Sequence, residues 1–402
     1  MNFDFVIIGG GMVGLTIAHQ LIEKNISKNI CLIDKESTLG RHSSGRNSGV
    51  LHAGIYYKPG TLRAKVCIEG SKRLKEWIEI KNLSINNCGK VIVPQKYNLD
   101  SQIDNLYERG VKNGACVELI DQKQLNEIAP FVHSASGRAI FSPNTSVVNP
   151  LEIIKSLEND LTSKGVKILK NQTSWGIEIK QKTIKLNEES YLNYGHLINC
   201  AGLQADKIAH KFGVGNQYFI LPFKGVYWEI KNNLPFKINT NVYPVPDLNM
   251  PFLGVHFTPS CNVDKPTTIG PTANLALGRE NYFGIKRIEP ITSLRNISLL
   301  FSQYIKNKGN FRSYFHEQAF LSFQPFLLKE AQNLVPSIKA QNIKLSNKVG
   351  IRSQVFNKEE GTLEDDFICL TEKESTHLLN VISPAFTASF SFADLVLEKM
   401  KL

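Results

Sequence analysis

The chain has 402 residues, 42% of them hydrophobic, and a formal net charge of +11 from 47 Lys and Arg against 36 Asp and Glu. That length provides core for about two domains, and the hydrophobic share is ordinary for a soluble globular protein. The lysines are scattered rather than gathered into a tail, and few aromatics interleave with basic clusters, so a nucleic-acid partner is not expected. A Lys-, Asn- and Ile-rich composition is the plain source of the charge, though a basic surface also suits an anionic substrate or lipid. Seven cysteines, at 31, 67, 88, 116, 200, 261 and 369, include no C-x-x-C pair. The odd count argues against a disulfide framework or zinc site and fits a reducing cytoplasm, with each thiol buried and structural. The nine histidines form no H-x-x-x-H or H-x-H pair, so no metal is expected.

In chain order, Phe5-Val6-Ile7-Ile8 reads as a buried parallel strand. Residues 5–22 are apolar, but Asp4 precedes them, no basic segment leads them, and His19 and Gln20 interrupt their end. Neither a signal peptide nor a membrane span is expected. Gly9-Gly10-Gly11-Met12-Val13-Gly14 follows the strand and opens an amphipathic helix. Gly9 permits a tight turn, Gly11 lets the backbone approach a pyrophosphate, and Gly14 lets the helix pack closely on the strand. Phosphates would sit at the helix N-terminus. Ile30-Cys31-Leu32-Ile33 is a second strand, and Asp34 at its end suits the ribose hydroxyls of a dinucleotide. The motif alone does not separate FAD from NAD.

Residues 40–54 form a Gly/Ser-rich loop, followed by a helix near 61–80, a strand near 88–93 and a helix near 100–113. Pro150 suits the first turn of another helix. Short strands run from Val166 to about 190. His196–Asn199 is a buried strand whose small-residue turn, Cys200-Ala201-Gly202, lets the chain pass close to the first glycine loop. Residues 217–330 alternate and carry more aromatics and prolines, as in an antiparallel sheet. From 348 strands and loops return, with Arg352 at a strand start, and Ser383-Pro384-Ala385 opens a last helix.

The loop Gly40-Arg41-His42-Ser43-Ser44-Gly45-Arg46-Asn47-Ser48-Gly49 moves the reading toward flavin. Its hydroxyls, amide, guanidinium and free N–H groups suit the long polar chain of FAD. A nicotinamide dehydrogenase usually continues with a helix there.

These motifs together resemble the D-amino-acid-oxidase-like flavoenzymes. Within that group, Ser43 to Gly60, with the run His52-Ala53-Gly54-Ile55-Tyr56-Tyr57, is similar to L-2-hydroxyglutarate oxidases/dehydrogenases. The similarity recurs at Pro222–Gly225, at Tyr243–Asp247, at Pro251–Thr258, at Ile269–Pro271, at Gly350–Arg352 and at Ser383–Ala385. Asp34 departs from the Glu most common in the group but keeps both acceptor oxygens.

The resemblance implies an α/β (α+β overall) fold. A discontinuous Rossmann-like FAD-binding domain (1–82, 146–215 and 340–402) would carry an inserted, mainly antiparallel substrate domain (83–145 and 216–339). It implies FAD-dependent oxidation of L-2-hydroxyglutarate to 2-oxoglutarate, with oxygen or a membrane quinone as electron acceptor. An amine or amino-acid oxidase of the same superfamily is the alternative. A cytoplasmic enzyme, peripheral on the inner face of the cell membrane, fits this reading.

Expected cofactor contacts are Gly9, Gly11, Gly14, Asp34, Lys35, Arg41, Ser43, Ser44, Asn47, Ser48, Gly49, Ala201, Gly202, Pro384, Ala385 and Thr387. His52 is the candidate base, because a neutral imidazole with an ordinary pKa of about 6.5 is available at pH 7. Arg352 is the carboxylate clamp, since guanidinium binds a carboxylate bidentately. Tyr57 and Lys224 are candidates for the distal carboxylate, His256 is the rival to His52 for substrate contact, and Tyr243 packs in the pocket wall. The N-terminus of the last helix would favour negative charge on the ring edge of a reduced flavin.

Overall fold

The computed structural model describes the chain except residues 174, 187–189, 232–233, 247–253, 263 and 308–310, and the side chains of 311, 313, 314 and 317. Asp247 and Pro251–Leu253, quoted above for the resemblance, lie outside the described residues. β1 (Asn2–Ile8) leads through the glycine turn into α1 (Met12–Glu23) and β2 (Ile30–Ile33). The last four residues of β1 and all of β2 are buried, as strands covered on both faces must be. The expected loop contains one short helix, α2 (Ser43–Arg46), and β3 (Val50–Leu51). α3 (Leu62–Ile80) starts where the Thr61 side chain accepts from Ala64 N. β4 (Lys90–Val93) follows. The helix Pro150–Ser163 has Pro150 in its first turn, capped by Asn149.

The chain continues through β5 (Lys167–Leu169), β6 (Tyr191–Asn199), β7 (Tyr218–Ile230), β8 (Asn241–Pro244), β9 (His256–Thr258) and β10 (Thr268–Gly270). Then come α4 (Pro290–Lys306), β11 (Ile343–Asn357), β12 (Ser375–Leu379) and α5 (Ala385–Lys399).

Two large sheets result. In the first, β1 pairs in parallel with β2 and β6, β2 with β5, and β6 with β12. α1, α3 and α5 pack together on one of its faces. Thr16 donates to Ser389 O (3.1 Å), and a Cβ on Gly70 would come within 2.5 Å of Ala388 Cα. The second sheet runs β11-β7-β10-β9-β8-β4 and on to Arg138–Ser142 and Glu118–Asp121. It is antiparallel except for the parallel pair β4–β8.

β11 corrects one expectation. Residues 343–357 lie in the second sheet, with Arg352 opposite Phe223, rather than in the returning cofactor segment. Arg352 is therefore in mid-strand. The chain rejoins the first sheet only at the hairpin formed by Ile368–Thr371 and β12. Strand pattern gives local conformation; it does not say which sheet edge a strand will pair with. Among the described residues, no helix is long and apolar enough to cross a membrane.

Candidate active site

The glycine turn is held by close backbone contacts that side chains would prevent. Gly9 has φ +110°, and a Cβ there would lie 2.4 Å from Cys200 O. A Cβ on Gly14 would lie 2.1 Å from Gly9 O. The small-residue turn after β6 thus passes against the first loop, as expected. Gly11 leaves room for Ser44, whose Oγ accepts from Met12 N at 2.9 Å, a free N–H at the start of α1. Asp34 accepts from Gly10 N (2.7 Å) and Glu36 N (2.8 Å). Burial pushes its carboxyl above the usual range, and those two N–H groups oppose the shift. Each oxygen keeps a second lone pair for a ribose hydroxyl.

From Met12 and Val13 a cavity of about 500 Å³ opens between the two sheets. Ser43, Ser44, Asn47 and Ser48 line it beside the glycine turn, and Pro384, Ala385 and Thr387 line it from the start of α5. His52, Tyr57, Tyr243, His256 and Arg352 line it further along. The structure thus gathers residues separated by 300 positions, His52 through β3 and Arg352 through β11. Gly9, Gly11, Gly14, Asp34, Gly49, Ala201 and Gly202 belong to the turns beneath rather than to the cavity wall.

Three further expected contacts are turned away from the cavity by other partners. Lys224 sits between two lining residues, Phe223 and Gly225, and strand alternation sends it to the opposite face. Its Nζ donates to Asn281 Oδ1 at 2.9 Å. Lys35 pairs with Glu280, and Arg41 lies 3.8 Å from Glu36. Asn47 reaches the wall, but its amide also braces the loop: Nδ2 donates to Ser44 O (2.6 Å) and Oδ1 accepts from Gly49 N (2.8 Å). Among the thiols, Cys116 is exposed rather than buried.

His52 is half-buried and opens onto the cavity. Its Nε2 lies 3.2 Å from Ser383 Oγ, and its backbone N–H donates to Thr387 Oγ1 at 3.1 Å. Burial, then the charge of Lys90, holds its pKa well below the usual histidine range, so the ring is neutral at pH 7. His256 is likewise held down to about 4 by burial. It stacks on Tyr243 at 3.9 Å, and Nδ1 lies 2.9 Å from Gly254 O. Burial raises the Tyr57 and Tyr243 hydroxyls, so both remain protonated donors.

Sequence reasoning missed several wall residues. Arg63 lies over the Tyr57 ring (4.7 Å) and donates to Asp365 O, and Arg109 donates to Tyr56 O at 3.1 Å. Lys58 and Arg46 also line the cavity. The arginines on helices read as ordinary solvated positions, so only tertiary placement reveals them. Tyr56 and Ser383 lay inside quoted motifs without an assigned role.

Glu36, His42 and Glu280 have ligand atoms within 4.8 Å of one another. Each is engaged by protein: His42 by Tyr282 (2.7 Å) and Glu36 (3.0 Å), Glu280 by Lys35 and Arg287. The group is an ion-pair network.

A parallel sheet, a glycine turn under a helix N-terminus, an acidic residue after the second strand and a cation-lined cavity define a dinucleotide-dependent oxidoreductase. The chain belongs to the DAO family of FAD dependent oxidoreductases, which it matches over residues 4–398. FAD is its cofactor, and the residues present fit it: the cradle at Gly9, Gly11 and Gly14 has no room for a Cβ, and the Ser43–Ser48 wall continues from it.

The chain is 35% identical over 414 residues to the mitochondrial L-2-hydroxyglutarate dehydrogenase of Caenorhabditis briggsae, covering 98% of this chain and 92% of that protein. It is 32% identical to the Homo sapiens enzyme of that name (100% and 89% covered) and 31% identical to the Salmonella houtenae L-2-hydroxyglutarate dehydrogenase (99% and 93%). In structure it is similar to the L-alpha-glycerophosphate oxidase of Mycoplasma pneumoniae with FAD bound. The TM-score is 0.75 at 20% identity, covering 100% of this chain and 95% of that one. The glycine oxidase of Geobacillus kaustophilus gives a TM-score of 0.70 at 14% identity, with 100% and 95% covered.

Proposed function

We propose that this protein oxidises L-2-hydroxyglutarate to 2-oxoglutarate. The observation that carries the reading is one cavity that joins a neutral imidazole, His52, to the guanidinium of Arg352, with Arg63 and Arg109 on the same wall. A substrate with one hydroxyl and two carboxylates matches that set, and the names of the relatives agree. The Gly9–Gly14 turn, Asp34 and the Ser43–Ser48 wall would hold FAD, which would supply the hydride-accepting chemistry that oxidation of the substrate C2 needs.

The chain's own residues supply the rest. Arg352 holds the C1 carboxylate through parallel hydrogen bonds and fixes which face of C2 is presented. His52 Nε2 takes the hydroxyl proton; the Ser383 hydroxyl hydrogen-bonds that nitrogen at rest and also hydrogen-bonds Tyr57. Arg63 meets the distal carboxylate at the cavity edge. Pro384, Ala385 and Thr387 at the start of α5 line the cavity, and the positive end of that helix favours negative charge there. The low-dielectric walls strengthen each of these interactions.

Anaerobic mixing of the yellow holoenzyme with L- and D-2-hydroxyglutarate tests the reading. Bleaching by the L enantiomer alone is expected. Bleaching by amino acids or amines, with none by L-2-hydroxyglutarate, would replace it with the amino-acid oxidase reading.

For the electron acceptor, an exposed surface favours a quinone at a membrane over oxygen. Ile291, Leu294, Ile297, Phe301 and Ile305 of α4 are 86%, 70%, 48%, 62% and 58% exposed. At about 100° per residue they share one face roughly 120° wide. Ser293, Asn296 and Leu300 are buried on the other. The rim carries Lys286 and Lys306, both exposed near the two ends of the helix, whereas Arg287 pairs with Glu280 and Arg295 lies over the Phe219 ring. A helix with an outward apolar face and a basic rim suits the surface of an anionic bilayer. Co-flotation with anionic but not neutral vesicles, lost in Leu294→Glu/Phe301→Glu, is the expected result. Rapid oxygen consumption during turnover would favour an oxidase.

A further inference from the structure

Lys90 is the most unusual charged group in the molecule. It lies on β4, in the interior of the second sheet, and is fully buried. Its Nζ has no hydrogen-bond partner among the described residues. Two rings hold it: Nζ is 4.8 Å from the centre of Tyr56 and 4.9 Å from that of Tyr243. Those rings stack on each other at 6.3 Å, and Tyr243 stacks in turn on His256. Tyr56, Tyr243, His256 and His52 all line the cavity, whereas Lys90 does not. It stands one side chain behind the wall.

A buried cation ordinarily requires a nearby anion. The other titratable groups that act on Lys90 are Cys67 and Cys88. Burial raises both thiols, Cys67 to about 12 and Cys88 to about 11, so both are neutral. Its charge in turn bears on His52 and His256, with Arg63 a further cation beside His52. Ring faces offset part of the desolvation, since their quadrupoles attract a cation, but they carry no net charge.

The geometry points to Lys90 as a positioning residue: an uncompensated cation behind the Tyr56–Tyr243 wall, matched only when a dianion enters the cavity. The inference rests on the reading of that cavity as a dicarboxylate site. It gives the enzyme a preference for dianions over monoanions without a direct contact, because field lines in a low-dielectric wall reach the cavity. It also keeps His52 in its free-base form before substrate arrives. Burial lowers the Lys90 pKa to about 8, so the cation is present at neutral pH and lost above it. Lys348, also near 8, half-buried and set 5.2 Å from the Tyr227 ring, is a second cation near the wall and makes a control necessary.

The test uses FAD-loaded wild type, Lys90→Met and Lys90→Arg. Two inert probes, glutarate as dianion and butyrate as monoanion, are titrated by their effect on the flavin spectrum. Lys90→Met should raise the glutarate Kd about tenfold and the butyrate Kd about threefold or less, and Lys90→Arg should restore glutarate binding. From pH 7 to pH 9 the wild-type glutarate Kd should rise. In Lys90→Arg, which stays charged, that rise should shrink to the part that Lys348 contributes. The acid limb of L-2-hydroxyglutarate reduction should move to higher pH in Lys90→Met.

Equal weakening of both probes, or none, overturns the proposal. Should Lys90→Met not yield yellow holoenzyme, an identical pH dependence in wild type and Lys90→Arg overturns it instead. Failure of the substrate reading is separate, because it shows as wild-type flavin that L-2-hydroxyglutarate does not bleach.

Discussion

His52 Nε2 lies 3.2 Å from the hydroxyl of Ser383, two residues before α5 begins. Thr387, inside the first turn of the same helix, accepts from His52 N and donates to Val50 O. The imidazole and the helix N-terminus are therefore one assembly. Their relative position is set by β3, α5 and the packing of α5 on α1 and α3.

His52→Ala should slow anaerobic flavin reduction by about 10²–10⁴-fold, the usual contribution of a general base. FAD should stay bound, because the glycine turn is untouched. The lowered pKa of His52 adds a second expectation. Its base form persists as pH falls through the ordinary histidine range, so the wild-type rate should stay flat from pH 7.5 to pH 6. Stopped-flow absorbance across that range measures both.

Arg352→Ala should act mainly on affinity. Loss of a bidentate, charge-assisted pair costs about 1.5–3 kcal/mol, or roughly 10–150-fold in Kd for a dicarboxylate. Arg352→Lys should recover only part, because an ammonium lacks the planar fork. Titration with glutarate at fixed pH is the measurement. Unchanged affinity in Arg352→Ala would remove the clamp.

Gly14→Ala should cost the protein its FAD. The added Cβ would stand 2.1 Å from Gly9 O, a backbone atom that cannot yield without opening the turn. Destabilisation of about 2 kcal/mol or more is expected, with a pale protein of low visible-to-ultraviolet absorbance ratio.

Asp206 and Arg279 form a buried pair in which Asp206 also accepts from Ile220 N (3.0 Å) and Lys207 N (2.9 Å). Asp206→Ala leaves the guanidinium alone in the interior and should destabilise the fold by about 3–5 kcal/mol. The double variant Asp206→Leu/Arg279→Met should recover much of that. Denaturant unfolding compares them.

Acid should weaken the fold earlier than carboxylate protonation alone would require. Burial holds His42, His196, His256 and His377 down to about 4. Between about 6.5 and 4 the unfolded chain binds protons that the folded chain refuses. Stability is thus fully present above 6.5 and declines as pH drops through that window. Thermal unfolding of the holoenzyme at pH 7.5, 6 and 5 should show a falling Tm before the carboxylates titrate.

Local chemistry explains what was readable. Gly9, Gly11, Gly14 and Asp34 act within one strand–turn–helix–strand unit of about 30 residues, so their spacing carries their meaning. The bounds of α3, the Pro150 helix and α5 follow from caps and prolines for the same reason. His52 and Arg352 were legible only because each lies in a run whose resemblance is specific. Lys224 misled, because motif membership says nothing about which face of β7 a side chain takes. Arg63, Arg109 and Lys90 carried no local signal: the first two sit on helices with ordinary polar patterning, and a lysine opening an apolar strand reads as solvent-exposed.

What the sequence determined by itself is the dinucleotide cradle and the elements around it, since both depend on contacts between near neighbours; residues 290–334, expected largely within an antiparallel sheet, instead hold the helices Pro290–Lys306, Phe311–Phe320 and Gln324–Leu334. Only the tertiary structure decided that β11 crosses into the second sheet, that Arg352 and His52 line one cavity, and that Lys90 stands behind two tyrosines with no hydrogen-bond partner among the described residues. Those relations join residues tens to hundreds of positions apart. Strand pairing and burial create them, and no local pattern encodes which distant partners will meet.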